Sequence, residues 1–284
     1  MKSRMAGPFL CLLSCLLLAA TALAEIAVQA PPMPVSFGVV PQQAPSKLLA
    51  SWGPVLSELQ ARTGRRFVFR TAPDIPTFEQ RLAVGEYDIA YMNPYHFTEF
   101  NQGDQGYQAV AKAKDKLIRG ILVVRKGAVT QTLHDLEGET LAFPAPAAFA
   151  ASVLPRAHLK GEGIAFDARY VASHDSVYKA VAKGLYAAGG GVVRTLNATD
   201  PEVREQLRVL WTTPGYTPHA IAVHPRVSQD LVVAVRDALV DLSDSEAGRA
   251  ALDRLKVKGF EPATNADWDD VRGLSIETQL GKDQ

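Results

Sequence analysis

The sequence predicts an α/β fold with two mostly parallel sheets and a groove between them. Three observations carry that prediction. Short strand-like runs alternate with helically spaced runs along almost the whole chain. Removing residues 1–24 from the 284 leaves 260, enough for one large domain or two lobes. The turns that open the helices follow strands, which in such folds puts ligands beyond the carboxyl ends of the strands.

The N-terminal stretch reads as an export signal. Lys2 and Arg4 give the positive start, residues 9–20 an apolar run, and Ala22-Leu23-Ala24 a small-x-small cleavage site before Glu25. The apolar run falls short of the roughly 20 residues a membrane span needs. Cys15 follows Leu12-Leu13-Ser14, a lesser alternative that would make a lipid-anchored protein. Both cysteines, Cys11 and Cys15, lie in this segment, so the exported body has neither a disulfide framework nor a thiolate ligand. Without Lys2 and Arg4, 28 basic residues face 30 acidic ones. A nucleic-acid binder needs a basic stripe, and none is visible. Any bound anion must be held by a local pocket.

Residues 25–33 form an Ala/Pro-rich leader. A strand follows at 35–40. A helix over 46–63 carries Leu48, Leu49, Trp52, Leu56 and Leu59 at helical spacing and stops at Gly64. Next come a strand at 66–70, a helix at 78–84 with Thr77 as its N-cap, and a buried strand at 87–92 ended by Pro94. Strands are expected at 107–113, 117–125, 140–143 and 168–171, with helices at 133–136, 147–160 and 175–183. A strand ends in Gly189-Gly190-Gly191, and runs at 206–211 and 220–223 add two more. Helices at 227–242 and 246–255 close the expected fold.

Four strand-to-helix junctions are candidates for anion binding: residues 41–46, 91–96, 143–150 and 172–176. Each offers free backbone N–H groups at a helix start. Each also fits an ordinary cap or turn. His174 with Asp175 and a neighbouring serine would suit acid–base chemistry, although Asp175 also fits a helix start. His96, His174 and His219 lack the spacing of a metal site, and neither a metal nor a cofactor is expected. The triple glycine lacks the Lys and Ser/Thr of a P-loop and suits close backbone approach to a ligand or to the opposite lobe. Arg194 reads equally as an anion ligand or a solvated charge.

Together these stretches resemble the phosphonate/phosphite/phosphate-binding proteins of ABC transporters over about residues 34–273. The resemblance is carried by Trp52-Gly53-Pro54-Val55-Leu56, Ala72-Pro73-Asp74, Tyr87-Asp88-Ile89-Ala90-Tyr91 with Asn93-Pro94, and Leu136-Glu137-Gly138. Ser152-Val153-Leu154-Pro155, Ser173-His174-Asp175 and Ala180-Val181-Ala182-Lys183-Gly184 continue it in order. It implies a two-lobed type II periplasmic binding protein with two chain crossovers and a ligand cleft between the lobes. Lobe one would be 34–120 plus 223–284 and lobe two 121–222, closing on a ligand.

The family's binding residues carry over unevenly. Its Ser-Thr-Ser falls on Ala148, Phe149 and Ala150, so backbone donors stay while hydroxyls are lost. Its second-lobe histidine matches His174, and a tyrosine becomes Ile75. The acidic residues that some members use for a ligand amine fall on Val193, beside Arg194, and on His219. An aminoalkyl cation would therefore be buried unpaired, which is costly. The expected ligand set is Gln42, Tyr91, Asn93, Tyr95, His96, Ala148, Phe149, Ala150, Ser173, His174, Arg194 and His219 around a small oxyanion. The resemblance implies a non-enzymatic, monomeric periplasmic protein that delivers its ligand to an inner-membrane ABC permease. Presentation of the ligand to a membrane sensor kinase, a hydrolase using His174, and a degenerate partner-binding module are the alternatives.

Overall fold

The computed structural model describes residues 33–102 and 106–274; the export signal, Cys15 and nearly all of the leader lie outside them. From Pro34 onward the described residues form one compact unit holding two sheets. The first sheet has the order β11-β4-β10-β3-β1-β2. Its strands are β1 (Val35–Val39), β2 (Phe67–Arg70), β3 (Ile89–Met92), β4 (Gln108–Ala113), β10 (Ala220–Val223) and β11 (Phe260–Pro262). The second has the order β7-β6-β8-β5-β9. It comprises β5 (Ile121–Arg125), β6 (Thr140–Phe143), β7 (Asp167–Tyr170), β8 (Ala188–Gly191) and β9 (Leu207–Thr212). The chain crosses from the first sheet to the second after β4 and returns before β10. That returning strand begins at Ala220, inside the 121–222 stretch assigned above to the second lobe.

The longer helices follow their apolar spacing. In α1 (Pro45–Thr63), Leu48, Trp52, Val55, Leu56 and Leu59 are buried against the first sheet's core, and Gly64 at φ 66° ends the helix in the left-handed conformation that glycine adopts without strain. In α5 (His174–Ala182), Val177, Tyr178 and Val181 pack on the second sheet. Helices α8 (Gln229–Val240) and α9 (Glu246–Leu255) lie beside α1. The remaining helices are α2 (Ile75–Ala83), α3 (Pro94–Phe100), α4 (Leu154–Gly161), α6 (Val193–Asn197), α7 (Pro201–Arg204) and α10 (Asp269–Arg272).

Several expectations are corrected. The sheets are mixed rather than mostly parallel. β10 runs antiparallel to β3 and β4, β11 to β4, and β5 to both β8 and β9, because the crossing and returning strands enter each sheet from the opposite end. The N-cap of α2 is Asp74, whose carboxylate accepts from Thr77 N at 2.8 Å; Thr77 is inside the helix. Residues 117–120 are not strand: Ile118 makes an isolated bridge to Tyr216 in the crossover. The 147–160 helix is two pieces, a π-helical turn Phe149–Val153 running into α4. The chain does not close at α9 but continues through β11 and α10.

The triple glycine has a packing role. A side chain at Gly189 would strike Val177 and Val181, one at Gly191 would strike Tyr178, and a Cβ at Gly190 would lie 1.8 Å from the Ala151 carbonyl oxygen. Bare backbone in β8 therefore lets α5 and the π-turn both press against the strand. The glycines serve packing within the second sheet's layers, and none lines the cavities described below.

Candidate functional site

All four junctions singled out in the sequence meet in one place. A small cavity of about 10 Å³ is walled by Gln42, Ile75, Asn93, the Ala148–Ala151 backbone, His174 and His219, with Val40, Ile118 and Val192 filling the gaps. Its floor is rich in main-chain donors. The N–H groups of Phe149, Ala150 and Ala151 precede the first bonds of the π-turn, which run from Ser152 and Val153 to the Ala148 oxygen. In α5 the Ser173 hydroxyl accepts from Ser176 N, and Val177 N bonds the Ser173 oxygen. The His174 and Asp175 N–H groups therefore head the helix without acceptors inside it. Ala172, just upstream, holds φ 69°, a left-handed conformation that costs a non-glycine residue about 1 kcal/mol. Strain of this kind clusters at binding turns.

Hydrogen bonds tie the two sheets' loops together across this floor. Arg194 Nη2 donates to Gln42 Oε1 at 2.9 Å, and Gln42 Nε2 lies 2.9 Å from His219 Nε2. Asn93 Nδ2 donates to the Ala147 oxygen at 3.1 Å, while its Oδ1 caps α3 by accepting from His96 N at 2.8 Å. His219 stacks on Tyr91 with centroids 4.8 Å apart. His174 Nδ1 pairs with the Thr195 hydroxyl at 3.1 Å, and Tyr178 reaches the same hydroxyl at 2.7 Å.

A larger cavity of about 230 Å³ adjoins the floor, sharing Gln42, Ile118, Val192 and His219 with it. It is lined by three cations, Lys116, Arg119 and Arg194, and by no carboxylate. Lys116 Nζ donates to the Lys256 oxygen at 3.3 Å and Arg119 Nη1 to the Thr213 oxygen at 3.2 Å. None of the three has a carboxylate partner among the described residues. Their mutual repulsion is felt: burial, then the Arg194 charge, lowers the Lys116 ammonium's pKa. Burial, with Arg194 adding, holds His174 at about 4 and drives His219 well below 6.5, so both imidazoles are neutral at pH 7. A neutral His219 can accept from the Gln42 amide.

Not every expected residue reaches a cavity wall. Gln42, Asn93, Ala148, Phe149, Ala150, His174, Arg194 and His219 line the two cavities, and Tyr91 lines the larger. Ser173 is instead spent as the N-cap of α5. Tyr95 packs on the core, and His96 sits wholly buried behind Asn93, with Glu79 Oε1 3.5 Å from its Nε2 and burial holding its pKa at about 3. Among the described residues no three His, Cys, Asp or Glu side chains form a metal-holding group. His174 faces Thr195 rather than a serine, and Ser173 and Ser176 bond each other, which leaves the hydrolase alternative without its nucleophile pair. Lys116 and Arg119 are cavity residues that the sequence reading missed. The basic run Lys112, Lys114, Lys116 and Arg119 was the available signal.

Two sheets joined by two crossovers, with helix-opening turns meeting over an electropositive cavity, define a two-lobed substrate-binding protein of the periplasmic type. A family model described as "ABC transporter, phosphonate, periplasmic substrate-binding protein" matches residues 37–268. The chain belongs to that family: it is a periplasmic substrate-binding component of an ABC transporter, and not an enzyme. It is 22% identical to the phosphate-import protein PhnD of Mycolicibacterium smegmatis, over 85% of this chain and 84% of that one. In fold it resembles PhnD1 of Prochlorococcus marinus, solved in complex with methylphosphonate, with a TM-score of 0.79, 16% identity and coverage of 87% and 98%. A binding-protein component of an ABC phosphonate transporter from Pseudomonas aeruginosa gives a TM-score of 0.78, 17% identity and coverage of 89% and 90%. Among the described residues no helix is long and apolar enough to cross a membrane.

Proposed function

We propose that this protein, exported by cleavage after Ala24, captures a small phosphate- or phosphonate-like oxyanion in the periplasm and delivers it as a monomer to an inner-membrane permease. One observation carries the ligand class: a cavity lined by three cations and no carboxylate adjoins a floor built from two helix-opening turns whose first N–H groups have no acceptor within their own helices among the described residues. Three anionic oxygens need donors from several directions, and the N–H groups of Phe149, Ala150, Ala151, His174 and Asp175 offer them. Gln42, Tyr91, Asn93, His174, Arg194 and His219 complete the surroundings; Tyr95, His96 and Ser173 hold the frame behind them. The likeness to a phosphate importer and to a methylphosphonate complex supports the same class. The division into a lobe around the first sheet and a lobe around the second follows the two crossovers, and closure brings Gln42 to Arg194. Presentation to a sensor kinase would use the same clamp, but the transporter family favours delivery to a permease.

An aminoalkyl ligand is disfavoured. Val193 and His219 line the cavity where some family members place acids, and the ammonium would meet Arg194 instead. The test is a thermal-shift panel of phosphate, phosphite, methylphosphonate and 2-aminoethylphosphonate, with sulfate and acetate as controls. A ligand at a hundred times its dissociation constant stabilises by about 2.7 kcal/mol. Phosphate, phosphite or methylphosphonate should raise Tm and 2-aminoethylphosphonate should raise it less. No shift with any phosphorus oxyanion would overturn the assignment.

A further inference from the structure

The floor and the larger cavity differ in a way that a one-carbon phosphonate leaves unexplained. The floor offers main-chain donors and two neutral imidazoles against about 10 Å³ of space, less than one water molecule's share, so a compact oxyanion would rest on it from the adjoining cavity. The adjoining space is about 230 Å³, several times the roughly 30 Å³ share of one water molecule. Its cations are not needed to neutralise structural carboxylates, since none lines it. As whole residues Lys116 and Arg119 are more exposed than Arg194, which is half-buried and tied to Gln42 at the floor. The same cavity is lined by the apolar side chains of Leu117, Ile118, Val192 and Val193. It therefore combines oxyanion donors at the floor, apolar side chains, and two further cations without a carboxylate partner among the described residues.

That combination matches a molecule with an oxyanion at one end, a short carbon chain and a second acid at the other. We propose that the substrate class is a two-headed anion, a phosphonate or phosphate monoester carrying a further carboxylate, whose second head is held by Lys116 and Arg119. The inference rests on the assignment of the floor to a phosphorus oxyanion and extends it. Lys116 and Arg119 reach the cavity from the crossover between β4 and β5, and Arg119 is pinned to the Thr213 oxygen next to the returning crossover. The second head would therefore be gripped at the hinge side, where a contact also senses closure. An ammonium in the same position would meet like charge from both residues.

The test compares calorimetric affinities of the purified protein for 3-phosphonopropionate, its uncharged shape-match 3-methylbutylphosphonate, and 3-aminopropylphosphonate. The shape-match replaces the carboxylate by an isopropyl group, so any preference reports charge. The carboxylate compound should bind at least tenfold more tightly than its match, and the amine more weakly than either. Lys116→Gln with Arg119→Gln should reduce the preference below about threefold. Both are exposed as whole residues, and the wild-type comparison stands even if the double variant misfolds. Equal binding of the first two compounds by the wild type would overturn the two-headed class while leaving the oxyanion floor intact. A preference retained in the double variant would remove Lys116 and Arg119 from the site. Failure of all three compounds, with methylphosphonate and phosphate also silent, would overturn the floor assignment itself.

Discussion

Replacing Gly190 by alanine tests whether the bare β8 backbone sets the position of the binding floor. The added Cβ would lie 1.8 Å from the Ala151 oxygen, and real Cβ contacts essentially never fall under 3.0 Å. The π-turn would have to retreat by at least about 1.2 Å, and it is backbone, not a flexible side-chain tip. Overpacking of this severity costs about 3 kcal/mol. For a chain of this size each kcal/mol moves Tm by about 2–4 °C, so the expected loss is roughly 6–12 °C by calorimetry. The displaced turn carries the Phe149, Ala150 and Ala151 N–H groups, so affinity for the best oxyanion should fall at least tenfold as well. Gly161→Ala is the matched control. It is the last residue of α4 with nothing inside 4 Å of its would-be Cβ. That change should raise stability by up to about 1 kcal/mol, since alanine is the better helix former. A Tm drop under 2 °C for Gly190→Ala would refute the close-packing account, and a large drop for Gly161→Ala would refute the use of these contacts as a guide.

His174→Ala should weaken the phosphorus oxyanion found in the panel by at least fivefold in calorimetry; unchanged affinity would exclude His174 from the site. Because burial, with Arg194 adding, holds His174 at about 4 against 6.5 in the unfolded chain, the unfolded state gains the proton first as pH falls through 6.5. Stability due to this neutral imidazole is complete above pH 6.5 and declines toward pH 4. Between pH 7 and pH 5 the wild type should lose about 2 kcal/mol more than His174→Asn in urea titrations, and parallel losses would contradict the assignment. Ala172→Gly should stabilise by roughly 0.5–1 kcal/mol by relieving the left-handed φ, read as a rise in the urea midpoint. Arg194→Gln should weaken oxyanion binding about tenfold and flatten its dependence on ionic strength; an unchanged salt dependence would place Arg194 outside the ligand's field.

Local signals were legible where one force decided the outcome. Gly64 ended α1 because only a residue without a Cβ takes that turn cheaply, and residues 140–143 and 220–223 formed strands over the expected spans. The four junctions were legible because caps and prolines mark helix starts, although Asp74 rather than Thr77 won the cap of α2 through its better-placed carboxylate. What the sequence concealed was direction and depth. Antiparallel entry of β5 and β10 depends on how the two crossovers return, which no local pattern records. His96 and Tyr95 share a junction with Asn93, yet the turn of α3 directs them into the core and leaves Asn93 on the cavity wall. Arg119 was hidden because 117–125 was read as one strand, whereas the continuous strand begins only at Ile121.

The Arg194–Gln42 hydrogen bond has a consequence for selectivity. It joins the turn after β1 in the first sheet to the start of α6, after β8 in the second, through one guanidinium. Hydrogen bonds to charged groups are worth about 1.5–3 kcal/mol, so a solute oxygen that recruits Arg194 must out-compete the Gln42 amide oxygen by that order. A neutral carbonyl or hydroxyl oxygen offers no such margin, whereas an anionic oxygen does. The amide therefore acts as a threshold that screens weak acceptors from this guanidinium.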